Sequence, residues 1–309
     1  MKTAFLFSGQ GAQYIGMGKE LFDQEMIVRE TFQEASDALG YDMAELCFTE
    51  NDKLNETMYT QPAILTVSVA FYRLLNAKGY QPDVVAGLSL GEYSALVASG
   101  AIPFKEAVQL VAKRGKFMAE AAPSGTGKMV AVMNAERSLI EECCQKASSF
   151  GIVSPANYNT PQQIVIGGET PAVDKAVELL TEAGVKRTVT LKVSGPFHTA
   201  LLKPASERLA DELKKINFAE MTIPVISNTT AQVMEQTEIN ELLEKQVMSA
   251  VRFADSIDTI KKMNVDVIIE VGPGKTLTGF IKKIDKELKT ARVEDNKTLS
   301  ETEALLKGR

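Results

Sequence analysis

The sequence predicts an α/β protein whose largely parallel sheet is interrupted by a small α+β insert. Short, largely apolar runs at residues 3–7, 84–88 and 265–271 alternate with segments of helical periodicity, which implies parallel strands joined by helices. Between the second and third of these runs, residues 129–191 read strand, helix, strand, strand, helix, strand, the ferredoxin-like order. The stretch Pro123-Ser124-Gly125-Thr126-Gly127 is a linker where that insert begins.

Taken in order, residues 3–7 form a buried strand closed by the turn Gly9-Gln10-Gly11. Apolar residues recur at helical spacing over 67–75. A second buried strand, 84–88, runs straight into Ser89, and 90–99 reads as a helix ended by Gly100. Pro103 opens a helix over 104–120, since proline suits a first helical turn. In the insert, strands are expected at 129–133, 153–157, 163–167 and 185–191, with helices at 135–149 and 171–183 and a turn around Asn159-Thr160-Pro161. The larger unit resumes near Val193 with a helix over about 202–214 and strands at 223–227 and 265–271. The last strand enters Gly272-Pro273-Gly274 and a helix from about Leu277. These boundaries give a discontinuous large domain, 1–126 with 193–309, and a ferredoxin-like domain, 127–192.

Composition narrows the function. With 309 residues, 45% apolar and 24% charged, the chain suits a globular protein with a sizeable core. No apolar run approaches the roughly 20 residues of a membrane span, and the N-terminal run stops at Gly9 without a signal-peptide core or cleavage site. Three cysteines, Cys47 and the adjacent Cys143 and Cys144, make neither a disulfide framework nor, with one histidine, a metal site. Reduced thiols in a cytoplasmic protein are expected. A net charge of −6 argues against nucleic acid.

The chemistry-bearing residues centre on Gly87-Leu88-Ser89-Leu90-Gly91. A Gly-x-Ser-x-Gly pentapeptide between strand and helix presents its serine on a sharp turn, with the Leu90 N–H at a helix start where an oxyanion would be held. A serine needs a base, and His198 is the only histidine available. It is either that base or a structural histidine at a helix start. Arg114 stands in an apolar helical stripe with Leu110, Val111, Phe117 and Met118, so it points inward and needs an anion. That anion is an acidic side chain of the chain itself or a substrate carboxylate. Gln246 is inward-facing beside Leu242, Leu243 and Val247; it orients a histidine ring or caps a loop. The Gln10 N–H, at the end of the first strand, is either a second oxyanion donor or part of a plain turn. Gly272-Pro273-Gly274-Lys275-Thr276 ends like a phosphate loop but has Ile269 where that loop needs glycine.

Together these stretches resemble the malonyl-CoA:acyl carrier protein transacylases. The resemblance rests on Phe7-Ser8-Gly9-Gln10-Gly11-Ala12-Gln13, Thr60-Gln61-Pro62-Ala63, Gly87 through Tyr93 and Lys113-Arg114-Gly115. It continues through Asn157-Tyr158-Asn159, Val193 through His198, Gln246-Val247 and Glu270 through Gly274. It implies a hydrolase-like large domain and malonyl transfer from malonyl-CoA to the carrier's phosphopantetheine thiol through a malonyl-serine. Ser89 would be the nucleophile and His198 its base, with Gln246 holding the histidine where a hydrolase has aspartate. Arg114 would pair with the malonyl carboxylate, and the N–H groups of Gln10 and Leu90 would form the oxyanion hole. Asn159 and Gln163 would line the cleft. No tightly bound cofactor is implied; malonyl-CoA and CoA are substrate and product, acyl carrier protein is the partner, and the enzyme is expected to be a monomer. Leu88 departs from the histidine many members carry before the nucleophile. Phe197 resembles the malonyl-selective pattern. An esterase or thioesterase of the α/β-hydrolase type is the alternative, but its acid would have to be Asp174, the only aspartate between Ser89 and His198, on a helix of the insert. A catalytically silent module that docks the carrier is a further one.

Overall fold

The structure, a computed structural model, describes residues 1–308. Its larger sheet has four strands in the order β2-β1-β7-β8, all parallel. They are β1 (Thr3–Phe7), β2 (Val84–Gly87), β7 (Val267–Val271) and β8 (Lys289–Val293). The pleat explains why the first three read as continuous apolar runs. Phe5, Phe7, Val85 and Ile269 enter one core, and Ala4, Leu6, Val84 and Ile268 enter another on the opposite face. The first core is built with α1 (Lys19–Gln24), α2 (Met26–Leu39), α3 (Met43–Phe48), α4 (Thr57–Ala77), α5 (Gly91–Ala98) and α6 (Phe104–Ala121).

The smaller sheet has the order β4-β5-β3-β6, entirely antiparallel. Its strands are β3 (Lys128–Met133), β4 (Val153–Thr160), β5 (Gln163–Gly168) and β6 (Arg187–Thr190), and α7 (Arg137–Ala147) and α8 (Thr170–Glu182) close its core. The element order is the one expected of a ferredoxin-like unit. The chain then returns through α9 (Lys203–Leu213), α10 (Ile239–Gln246) and α11 (Phe253–Lys262), with α12 (Thr276–Ile284) and α13 (Asn296–Lys307) following β7 and β8.

Several elements differ from the sequence reading. The helix expected over 67–75 starts at Thr57, because Pro62 lies within it and interrupts the donor pattern without ending it. Residues 223–227 form no named strand: Val225 makes an isolated parallel bridge to Val85, and Pro224, lacking an N–H, contributes only its carbonyl. β4 runs through the expected turn to Thr160, and the register shift between Tyr158 and Thr160 leaves Asn159 as a bulge. β8 went unread because it is a sheet edge on which only Val293 is buried. Glu270 occupies the start of α12, accepting the N–H groups of Leu277 (3.1 Å) and Thr278 (2.8 Å). That helix end is therefore closed to a phosphate by its own carboxylate.

Two glycines make the strand-to-helix turn possible. A Cβ on Gly87 would sit 1.9 Å from the Gly91 carbonyl carbon, and one on Gly91 would sit 2.1 Å from the Phe7 carbonyl oxygen. Gly91→Ala should therefore destabilise the fold by about 2–4 kcal/mol, since backbone must move to admit a methyl group. Urea denaturation checks this; a midpoint equal to wild type would contradict the close approach.

Candidate active site

The turn after β2 holds Ser89 at φ 54°, a left-handed conformation that a non-glycine residue adopts only when its surroundings enforce it. Here the enforcement is Asn228. Its Oδ1 accepts the Ser89 N–H at 2.6 Å while its Nδ2 donates to the Gly87 carbonyl at 2.6 Å.

His198 is also left-handed, at φ 60°, and its N–H donates to the Val247 carbonyl at 3.2 Å. Its Nε2 lies 2.8 Å from Ser89 Oγ, and its Nδ1 lies 2.8 Å from the main-chain carbonyl of Gln246. A carbonyl only accepts, so Nδ1 carries the ring proton and the Nε2 lone pair faces the serine hydroxyl. Burial, and then the nearby Arg114 cation, push the imidazole down from its usual value to about 4, against the hydrogen bonds to the backbone at Gln246 and Ser249. The ring is a neutral acceptor at neutral pH, as a general base must be.

Arg114 is 1% exposed, and among the described residues no carboxylate pairs with it. Nη1 donates to Gln61 Oε1 at 2.7 Å, and Nη2 to Gln246 Oε1 at 2.9 Å and to Ser89 Oγ at 3.1 Å; Nε has no partner. The Tyr93 ring lies against the guanidinium, 5.3 Å from its centre. The internal ion pair left open by the sequence is therefore absent among the described residues, and a buried cation stands beside the serine with spare donors.

Gln246 holds the histidine differently from a triad acid. Its main-chain carbonyl meets Nδ1, and its side chain turns away to Ser89 O, Glu92 and Arg114. The N–H groups of Gln10 and Leu90 donate to no acceptor among the described residues. The Gln10 side chain is tied back to Thr57 Oγ1 at 3.1 Å, leaving its backbone at the cleft. Asn159 lines the cleft, buried, with Oδ1 unpartnered. Gln163 does not line it. It stands behind, accepting from Asn159 Nδ2 at 2.8 Å, because the bulge aims Asn159 inward and leaves Gln163 to anchor it. The cleft, about 640 Å³, runs between the two sheets, with Ser89 and His198 on one wall and Asn157, Asn159 and Val165 on the other.

Sequence reasoning passed over three residues of this site. Gln61 lay in a quoted motif without a role. Glu92, a charge on an otherwise apolar helix, was a usable signal. Asn228 carried no local signal, since its function comes only from contact with a turn far away in sequence. Asp174, the acid the hydrolase reading required, lies on α8 and pairs with Lys128.

The acyl transferase domain family matches residues 4–300. A malonyl CoA-acyl carrier protein transacylase from Bacillus subtilis is 45% identical over 96% of this chain and 95% of its own. The chain belongs to the malonyl CoA-acyl carrier protein transacylase family. A crystal structure of MCAT from Streptococcus pneumoniae superposes with a TM-score of 0.97, at 60% identity over 100% of both chains. A type II PKS acyl-carrier protein in complex with its malonyl-transacylase matches with a TM-score of 0.94 and 42% identity, over 97% of this chain and 98% of that one. The elbow, the carbonyl-held histidine and the arginine without a carboxylate partner thus lie in a chain with the transacylase fold.

A single histidine allows a direct check. The imidazole nitrogen signals of the protein, which need no assignment, should stay those of a neutral Nδ1–H ring from about pH 8 down to about pH 5.5 and titrate near 4. Titration near the usual 6.5 would contradict the buried, Arg114-facing environment.

Proposed function

We propose that the chain moves a malonyl group from malonyl-CoA to the phosphopantetheine thiol of acyl carrier protein, with Ser89 as nucleophile and His198 as general base and acid. The observation that carries the assignment of residues is Arg114 Nη2 at 3.1 Å from Ser89 Oγ, with no acidic partner among the described residues. In a malonyl thioester the carboxylate is one methylene from the carbonyl under attack. A clamp for it must therefore lie beside the nucleophile, and here it does.

Malonyl-CoA enters the cleft and its carboxylate takes Arg114 Nη2, now resting on Ser89 Oγ. Ser89 attacks the thioester carbonyl as its proton passes to His198 Nε2, and the imidazolium is steadied at Nδ1 by the Gln246 carbonyl. The N–H groups of Gln10 and Leu90 receive the oxyanion, each worth about 3–4 kcal/mol to the transition state. The CoA thiolate leaves with the proton from His198. The carrier thiol then repeats the sequence in reverse, giving ping-pong kinetics without a cofactor.

The division 1–126 with 193–309 and 127–192 is the domain reading we adopt, since the two sheets lie one in each part. The site is complete within one chain, which supports a monomer, and three unpaired buried cysteines support a reducing, cytoplasmic setting. Lys192 lines the cleft from the antiparallel side, shortly after Lys186 and Arg187 in the chain, and Lys275 caps α12, which carries Lys282 and Lys283 and whose Phe280 lines the cleft from the other. These are the cations an acidic carrier would meet; among the described residues no helix is long and apolar enough to cross a membrane.

The decisive measurement is intact mass after brief mixing with malonyl-CoA. Wild type should gain one malonyl group and lose it on adding holo-carrier, while Ser89→Ala should gain nothing; an adduct on that variant would move the nucleophile elsewhere. Arg114→Ala should lower kcat/KM for malonyl-CoA by about a hundredfold or more while leaving acetyl-CoA much less affected, since a buried charge-assisted pair is lost only for malonyl. Equal losses on both would refute the clamp.

A further inference from the structure

Glu92, on α5, is 1% exposed, and its oxygens are met by neutral donors: the Asn228 N–H at 3.1 Å on Oε1 and Gln246 Nε2 on Oε2. Both donors belong to the site. Asn228 holds the serine turn by its side chain, and Gln246 holds His198 by its carbonyl and Arg114 by Oε1.

The polarity of the Gln246 amide matters here. An amide can present either end to a neighbour, and its network decides which. Gln246 Nε2 faces two acceptors, Ser89 O at 2.9 Å and Glu92 Oε2, while Oε1 faces a donor, Arg114 Nη2, at 2.9 Å. Reversed, the amide would set its NH2 group against the guanidinium. Ser89 O is one acceptor, and the Glu92 carboxylate, buried and charge-assisted, is the stronger one.

We infer that Glu92 is a positioning residue, which fixes the Gln246 amide so that Arg114 is held by an uncharged oxygen and aimed at the substrate carboxylate. The inference rests on the malonyl-clamp reading of Arg114. A carboxylate directly on Arg114 would compete with malonyl; one amide removed, the same charge orients the cation without occupying its free donors. Burial pushes the Glu92 carboxyl up to about 7, opposed by Asn228, Gln246 and the Arg114 cation, so its ionisation depends on this network. The titratable groups around it are Arg114 from α6 and the adjacent Tyr93, with His198 beyond Gln246.

The test is Glu92→Gln, equal in size but uncharged, with one acceptor oxygen and an NH2 group that opposes either Gln246 or the Asn228 N–H. Its kcat/KM is measured with malonyl-CoA and with acetyl-CoA, which has no carboxylate. The loss on malonyl-CoA should exceed that on acetyl-CoA by about tenfold, and in an Arg114→Ala background Glu92→Gln should change malonyl use little, because the two act on one path. Equal losses on both substrates, no loss, or additive effects in the double variant would overturn the inference. Should Glu92→Gln fail to fold, the malonyl-to-acetyl ratio of wild type is followed from about pH 8.5 to about pH 5.5. It should fall as Glu92 takes up its proton, whereas His198 affects both substrates alike; a constant ratio overturns the role. A wild type that forms no malonyl adduct would defeat the acyl-transfer reading, whereas a wild-type adduct with equal losses defeats only the role of Glu92.

Discussion

A buried guanidinium with no carboxylate bonded directly to it governs this molecule. Taking an arginine out of water is costly, and proteins ordinarily answer with a carboxylate. Here Arg114 is met by two glutamine oxygens, a serine hydroxyl and an aromatic face. These supply geometry without neutralising charge. The surrounding structure follows from that choice: Gln61 is carried on α4, which continues through Pro62, and Gln246 ends α10. The long buried helix α4 is the scaffold for one partner and the return segment from the second half of the chain delivers the other.

The same economy appears at the histidine. In a triad an acid holds the ring and stabilises its cation. A main-chain carbonyl at Nδ1 fixes the tautomer equally well but contributes no full charge. Burial and the Arg114 cation, opposed only by hydrogen bonds to the backbone at Gln246 and Ser249, leave the ring a weak base in the free enzyme. On the proposed clamp, a carboxylate bound at Arg114 would offset the guanidinium beside the ring and raise its basicity.

How much of this could be read from residues alone depended on whether the signal was local. β1, β2 and β7 were legible because both faces of each strand are buried, and the turn at Ser89 because its glycines are dictated by backbone contact. Arg114 stood out as a charge in an apolar stripe. β8 was obscured by edge polarity and the first half of α4 by Pro62. The resemblance put both Asn159 and Gln163 in the cleft; the bulge at Asn159, which leaves Gln163 behind it, is not visible in residue types alone. Gln246 was named for its side chain, whereas its carbonyl meets the ring. Asn228 was out of reach, since an asparagine that pins a turn in another part of the chain has no neighbourhood signature.

One pairing at the edge of the antiparallel sheet reaches further than its size suggests. Val251 bridges β4, its N–H on the Ala156 carbonyl at 2.9 Å and its carbonyl receiving the Tyr158 N–H at 2.8 Å. The next residue, Arg252, donates its N–H to the Asn228 carbonyl at 3.0 Å. The edge strand is thus tied, within two residues, to the side chain that pins the nucleophile. The antiparallel unit is consequently joined to the site by backbone pairing as well as by its chain boundaries. Shifting β4 by one residue would break the Val251 pairing that leads, through Arg252, to the Asn228 carbonyl.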